Sequence, residues 1–532
     1  MPLAGGRPFA ERVQVTTMDN DDIRAGLSRR GFLGAAAGFG VAAMAGLTAC
    51  DTGYRDPATK GLGGFNIPDP KTSLPSGDVT FRLIDSGDTK KPFWDAFFDA
   101  YSKKHSNITV KYDGLPKNRM DEIIPLGIRN GTAHDVFMLP PSMTLPQAVE
   151  EKWVSPLDDL IPDIDALKKR LPPGTLADGV QIFDGKIYQL PLSTEQRYLC
   201  LLHYNKKLMD DAGYDPSTKT LTWDEYRDAA KKITKAGKGK VYGVVLEIAQ
   251  PDRLQPWVDY MTRQLGVASV NGIDPKNGEY VYDRPEVLDA IELILALKSD
   301  GSLFPGSNSL TAPEAWPRLP RGAVGMVSAG PWVTVQWEND NPDFEFGVAA
   351  HPTPTDDPLP IGYPAFGGDW LSVFSKSKNK AIAGDVISYV LSDQGQARWA
   401  EIVKVGNPPI VEKAREAGAK DYSAQAKDCL AVADTMVINP EAVIVNPDTS
   451  AVAPLLKIPP QFEFGQVIQA ILVGKEDAPK KALTALADRC NGNLDAAIKE
   501  AGKKGAKVSR EDYVFSNWDP KKDYLPADYK GR

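Results

Sequence analysis

The chain has 532 residues, 42% of them hydrophobic and 25% charged, with a formal net charge of -8 at pH 7. That length holds two or three domains with real cores, and acidity without a basic run argues against a DNA or RNA partner. The four cysteines show no C-x-x-C spacing and the four histidines (His105, His134, His203, His351) never pair as H-x-x-x-H, so no metal site or cofactor is expected.

In chain order, the first feature is "SRRGFLGAAAGFGVAAMAGLTAC", Ser28 to Cys50. Gly31 to Ala49 is short of the roughly 20 apolar residues a membrane span needs and is diluted with glycine and alanine, so residues 1–49 read as a removable leader. Arg29-Arg30 ahead of Phe32 and Leu33 resembles a twin-arginine export signal, and Leu47-Thr48-Ala49-Cys50 resembles a bacterial lipobox, which implies lipidation of Cys50. An ordinary secretory leader with an incidental cysteine is the alternative. Residues 1–49 carry five Lys or Arg and four Asp or Glu, so their removal takes the formal charge from -8 to -9. Residues 50–77, rich in Gly, Pro, Ser, Thr and Asp, read as a flexible tether.

The globular part then alternates strand and helix, which argues for parallel sheet with crossover helices. "VTFRLID" is a strand and "SGDTKK" a turn; Phe93, Trp94, Phe97, Phe98 and Tyr101 form the core face of a helix. "NITVKYDG" is a strand, "RMDEIIPLGIRNGT" a helix stopped at Asn130-Gly131, and "HDVFML" a third strand. Thr222 and Glu225 have capping-box spacing, as do Asp283 and Glu286 ahead of a helix closed by Gly301. "AVGMVS", "FEFGVAAHPTP" and "WLSVFSKS" are strands, and "NKAIAGDVISYVLSDQGQARWA" is a helix. The C-terminal third has a mostly helical pattern, and residues 511–532 read as an irregular tail. Cys200 sits in an apolar run and reads as buried; Cys429 with Cys490 is the candidate disulfide.

"HDVFML", "GKIYQLPL", "YNKKLMDDAGYD" running into "TWDEY", "RGAVGMVSAGPW" and "SKNKAIAGDVISYVLSDQGQARWA" together resemble the extracellular solute-binding proteins of ABC importers, the family that includes maltose and oligosaccharide receptors. The resemblance implies an α/β, two-lobe periplasmic-binding-protein-like fold with a cleft between the lobes. Lobe 1 would hold 78–197 plus 365–410 and lobe 2 would hold 198–364 plus 411–510, with Pro191, Tyr204 and Asn205 marking a crossing strand. It also implies a monomeric, non-enzymatic receptor whose partners are a carbohydrate, ABC permease subunits and, through the lipid, the outer face of the cell membrane.

A sugar offers an apolar CH face and a rim of hydroxyls, so its site combines flat aromatic rings with charged or amide groups. The candidates are Ser86 and Asp88 after the first strand, Ser142 after the third, and Glu195, Gln196 and Arg197 at the crossing. Gly368, Asp369 and Trp370 follow at the return to lobe 1, and Trp257, Trp316 and Trp332 are candidate platforms. Trp332 in "SAGPW" matches the tryptophan on which sugars stack in the family, and Glu195-Gln196 resembles the place of a sugar-binding carboxylate. Each tryptophan is also a candidate core residue, and Glu195 and Arg197 are candidates to pair with each other. Three rivals remain: a secreted glycan hydrolase using Glu195 and Asp369 as its two carboxylates, an adhesive surface lipoprotein, and a receptor for a non-sugar polar solute.

Overall fold

The computed structural model describes residues 64–532 apart from Asp356 and Lys457. The leader, the lipidation site Cys50 and residues 50–63 of the tether lie outside the described residues. Nine strands build two sheets: β1 (Val79–Asp85), β2 (Ile108–Gly114), β3 (Val136–Met138), β4 (Val154–Ser155), β5 (Leu201–Asn205), β6 (Tyr242–Val244), β7 (Val324–Ala329), β8 (Phe346–Ala349) and β9 (Leu371–Phe374). The first sheet runs β2-β1-β3-β9-β4 and the second β8-β5-β7-β6. In the first, β1 is parallel to β2 and β3, while the late strand β9 returns antiparallel between β3 and β4. In the second, β6 and β7 are parallel and β5 runs antiparallel to both β7 and β8.

The helices that carry the argument are α1 (Lys91–Lys104), α2 (Lys117–Asn130), α3 (Trp223–Gly237), α4 (Pro251–Gln264), α5 (Pro285–Ser299), α6 (Trp332–Asp340), α7 (Lys380–Val390), α8 (Asp393–Ile402), α9 (Ala424–Ala433) and α10 (Pro479–Lys503). The aromatic face read from the sequence is the face α1 buries: Phe93, Trp94, Phe97, Phe98 and Tyr101 are all buried, and Phe97 stacks on Tyr389 of α7 with centroids 4.8 Å apart. Rings of this size remove roughly 150–250 Å² each from water, enough to fix α1 on its sheet. Gly131 closes α2 in the left-handed conformation, and Thr222 and Glu225 make the expected reciprocal capping box on α3.

Two helix expectations change. Asp283 caps nothing: α5 starts after Arg284 with Pro285 at its first position, where the missing N–H costs no hydrogen bond. The segment 379–400 is two helices, because the Ser392 hydroxyl accepts the Gly395 N–H at 3.0 Å and opens α8 afresh. Gly395 permits this break, since a Cβ there would stand 2.0 Å from the Tyr389 carbonyl oxygen.

Each sheet has its own core. One apolar cluster joins residues from Tyr198 to Ile361 with Val405 and residues from Tyr422 to Ala501; another joins Ile67 to Leu192 with Leu371 to Val403, Ile410, Val411 and Ala414. The chain therefore passes between cores at 193–200, at 350–370 and around 403–422. Tyr204 and Asn205, expected to ride a crossing, instead end β5, where the Asn205 side chain caps the helix Lys206–Ala212. The end of the expected tether is docked from residue 65 on: Phe65 meets Phe93 edge-on at 5.4 Å, Ile67 is buried, and Asn107 donates to the carbonyls of Pro75 and Gly77. Two apolar residues among the prolines and aspartates account for this.

The last residues also pack. Phe515, Trp518 and Tyr524 form a small buried cluster, Lys276 donates to the carbonyls of Ser516 and Trp518, and Arg263 lies over the Trp518 ring.

Candidate functional site

Parallel strands gather their carboxyl-end loops at one edge, and that edge is where open α/β sheets bind ligands. In the first sheet β1 ends at Asp85, and β9, antiparallel to β3 with Leu371 opposite Met138, begins at the same edge. The residues after β1 and those before β9 therefore meet. Asp85, fully buried, accepts from the Gly87 N–H (2.8 Å), the Tyr112 hydroxyl (2.7 Å) and the Trp94 indole (2.8 Å), which folds the turn back on itself. Lys90 then reaches inward, with a side chain only 2% exposed, to the Ser86 hydroxyl at 2.6 Å and to Asp369 Oδ1 at 2.9 Å. The Ser193 hydroxyl donates to Asp369 Oδ2 at 2.5 Å.

The Gly367-Gly368-Asp369 turn fits only with glycines. Gly367 has φ +74°, and a Cβ on it would stand 2.8 Å from both Pro191 Cβ and the Ser193 carbonyl oxygen; a Cβ on Gly368 would meet Glu195 Oε1 at 2.0 Å. Asp369 itself is left-handed at φ +54°, a strained conformation held by its ion pair. Burial alone would raise the Asp369 carboxyl, but the charges of Lys90 and Arg197 and the Ser193 hydrogen bond reverse this and hold it well below the usual carboxylate range. Asp85 goes the other way: burial raises it against the pull of Lys90 and its three donors.

The network continues into the crossings. Glu195 pairs with Arg197 at 3.0 Å, Arg197 also donates to Asn407 Oδ1, and Asn407 donates to Thr89 at 3.0 Å. Gln196 accepts from Arg415 at 2.7 Å and donates to the Ala433 carbonyl of α9 at 3.4 Å. All three passes between cores are thus tied to one another and to the turn after β1.

The second sheet has the same logic with different chemistry. β6 and β7 end at one edge, leading into Glu247 and Trp332, and antiparallel β5 begins there next to Cys200. Helix α4 brings Arg253 and Trp257. The Arg253 guanidinium lies over the rings of Trp316 and Trp332, 5.2 Å from each centroid, and the two rings stand 5.9 Å apart at 46°. Arg253 Nε is 3.5 Å from Glu247 Oε1, and Trp257 meets His351 edge-on at 5.6 Å. Burial raises the Glu247 carboxyl against the pull of Arg253 and the Trp316 indole. A space of about 10 Å³, room for one water, is lined by Cys200, Leu246, Glu247, Arg253, Leu254, Trp257 and Ser328. The Ser328 hydroxyl and the Trp257 indole nitrogen are buried there without a hydrogen-bond partner.

The structure thus brings together Ser86, Glu195, Arg197, Gly368 and Asp369 at one edge and Trp257, Trp316 and Trp332 at the other. Asp88 lies in the turn Asp88–Lys90 of the first edge, and Trp370 at the start of β9 keeps its indole nitrogen buried without a partner. Ser142 lies instead on an exposed loop, its N–H held by Asp121 of α2 at 2.9 Å. Sequence reasoning missed Lys90, Ser193, Asn407, Glu247, Arg253 and Ser328. Arg253 carried one usable signal, since it stands four residues before Trp257 and so on the same helix face. Cys429 and Cys490 are not joined: Cys200, Cys429 and Cys490 are all free and buried, and Cys429 Sγ lies 3.4 Å from the Thr334 hydroxyl of α6. Their helices α9 and α10 pack as apolar faces, and a small buried thiol serves that packing without a bond.

Comparison with known proteins decides the family. Residues 86–397 match the model of the bacterial extracellular solute-binding proteins. The chain belongs to that family. A binding protein of Brucella abortus (strain 2308) is 25% identical over 363 residues, 68% of this chain and 82% of its own. A solute-binding protein of an ABC transporter from Thermotoga lettingae, solved with α-D-tagatose, superimposes with a TM-score of 0.60 at 20% identity, over 79% of this chain and 100% of its own. The GacH receptor of Streptomyces glaucescens, solved free and with acarbose, gives 0.59 at 21% identity over 79% and 99%. The solute-binding protein described here therefore has the two-lobe, periplasmic-binding-protein-like fold, and its ligand cleft lies between the lobes.

Proposed function

We propose that this solute-binding protein captures a carbohydrate, an oligosaccharide in particular, by lobe closure and presents it to an ABC permease without altering it. The observation that carries the reading is the aromatic edge of the second sheet, where the Arg253 guanidinium lies over the tilted pair Trp316 and Trp332 and lines a small space with Glu247, Trp257 and Ser328. That is the mixture a sugar ring asks for: a face to stack on and strong hydrogen-bonding groups at its rim. The sugars bound by the two structural neighbours support it. We take the lobes as residues 78–197 plus 365–410 and 198–364 plus 411–510; the separate cores support this division except around residues 403–422, where Val405 joins the second core and Val411 and Ala414 the first. A ligand touching both stabilises the closed state by its differential affinity for that state.

In this reading Cys50 anchors the mature chain outside the cytoplasm, and the anchor raises the receptor's effective concentration at the permease. Hydrolysis finds no support in the expected carboxylates. A glycosidase needs one carboxyl kept protonated as an acid, whereas Asp369 is held ionised by Lys90 and Glu195 is paired with Arg197. Thermal-shift screening of residues 50–532 against a saccharide panel tests the proposal. A hit raises the melting temperature by several degrees in the wild type, as saturating ligand adds about 3 kcal/mol of stability at 100 times its dissociation constant. It is returned chemically intact and fails to stabilise Trp332→Ala. A tight non-carbohydrate ligand indifferent to Trp332, or conversion of the sugar, overturns it.

A further inference from the structure

We propose that Arg253 is the resident occupant of a slot against Trp316 and Trp332, and that a ligand binds by displacing its guanidinium from over the two rings. The inference rests on the reading of the chain as a carbohydrate receptor and adds to it the residue that competes with the sugar. A guanidinium is planar and weakly hydrated, and it stacks on aromatic faces much as a sugar ring does. Here it lies 5.2 Å from the centroids of two tryptophans at once. The space beside it, lined by Glu247, Trp257 and Ser328, is about 10 Å³, so a pyranose ring has no room there while Arg253 stays.

What holds the guanidinium there is weak. Its Nε makes no hydrogen bond, and its distance to Glu247 Oε1 is 3.5 Å, an ion pair without hydrogen-bond geometry. The groups around it await a polar partner: the Ser328 hydroxyl and the Trp257 indole nitrogen are both buried and unpaired. When Arg253 leaves, the slot opens and the Glu247 carboxyl is freed to hydrogen-bond ligand hydroxyls, with Ser328 beside it.

The test has two arms. In the first, maltotriose, arabinotriose, xylotriose, D-tagatose and galacturonate are titrated calorimetrically into the wild type, Arg253→Met and the double variant Glu247→Gln/Arg253→Met, which leaves no unpaired buried charge if the single variant is unstable. The expected result is a neutral sugar that binds Arg253→Met about 3- to 30-fold tighter than the wild type, the equilibrium worth of the cation–π contacts removed. Equal or weaker binding overturns the inference. The second arm needs no sugar: Arg253→Gly is titrated with guanidinium chloride at concentrations far below denaturing while tryptophan fluorescence is followed. A saturable change absent from Trp332→Ala/Arg253→Gly is expected, and its absence overturns the slot. Silence of the whole panel with a positive second arm contradicts the carbohydrate reading and leaves the slot standing.

Discussion

The two strand edges each gather the carboxyl ends of parallel strands and the start of an antiparallel one, and they are filled in opposite ways. At the first sheet, Lys90, Asp369, Ser86 and Ser193 satisfy one another at 2.5–2.9 Å, with Lys90 and Asp369 almost sealed from solvent. At the second sheet the groups are aromatic and loosely engaged, with a long ion pair at 3.5 Å and the buried polar atoms of Ser328, Trp257, Trp316 and Arg253 Nε without hydrogen-bond partners. A satisfied buried network fixes a backbone; an unsatisfied one costs about 1–3 kcal/mol per group and persists where something else will complete it. In the proposed reading the first edge is a structural clasp at the crossings, and the second is where ligand energy is gained.

Breaking the clasp gives the largest effect. Lys90→Met strands Asp369 and Asp85 as buried carboxylates without their cation and is expected to cost about 3–5 kcal/mol in urea unfolding; a loss under 1 kcal/mol refutes the clasp. Trp332→Ala sharpens the contrast from the other side. It removes one wall of the slot and weakens a bound sugar by about 1.5–3 kcal/mol, roughly 10- to 150-fold in dissociation constant by calorimetry, while the melting temperature without ligand changes little because the ring is only half-buried. Ser193→Ala removes one charge-assisted donor from Asp369 and is expected to cost about 1.5–3 kcal/mol of stability.

A further effect is in pH. Asp369, lowered in the fold, contributes stability that is complete above about pH 4 and lost as pH falls through its depressed value. Asp259 on α4, raised by burial to about 7, acts with the opposite sign: its contribution is present below about pH 4 and lost as pH rises through 7. Asp259→Asn should flatten the decline of melting temperature between about pH 4 and 7, and an unchanged slope would show that Asp259 is not its source.

Much of the scaffold was legible because it follows from periodicity and capping. The aromatic face of α1, the Thr222–Glu225 box and the Gly131 stop each rest on residues within one or two turns of each other. The close approach at Gly367 and Gly368 was legible too, since glycine pairs at a return strand signal missing Cβ atoms. What stayed hidden was set by tertiary partners. Nothing near "SGDTKK" marks Lys90 as buried, because the charge that makes its burial possible, Asp369, stands 279 residues away. Glu247 and Arg253 look like surface residues until β6, β7 and α4 converge. The unneeded disulfide was a matter of the same kind: Cys429 found Thr334, a partner no spacing rule supplies.

One calorimetric experiment bears directly on the division between clasp and slot: the same saccharide hit titrated into Ser193→Ala and Trp332→Ala, each with its unfolding curve. The account expects Ser193→Ala to lose stability and keep its affinity within about three-fold, and Trp332→Ala to keep stability and lose affinity by at least about ten-fold. The reverse pattern, with the sugar released by Ser193→Ala and held by Trp332→Ala, would place the ligand on the charged edge and contradict the account.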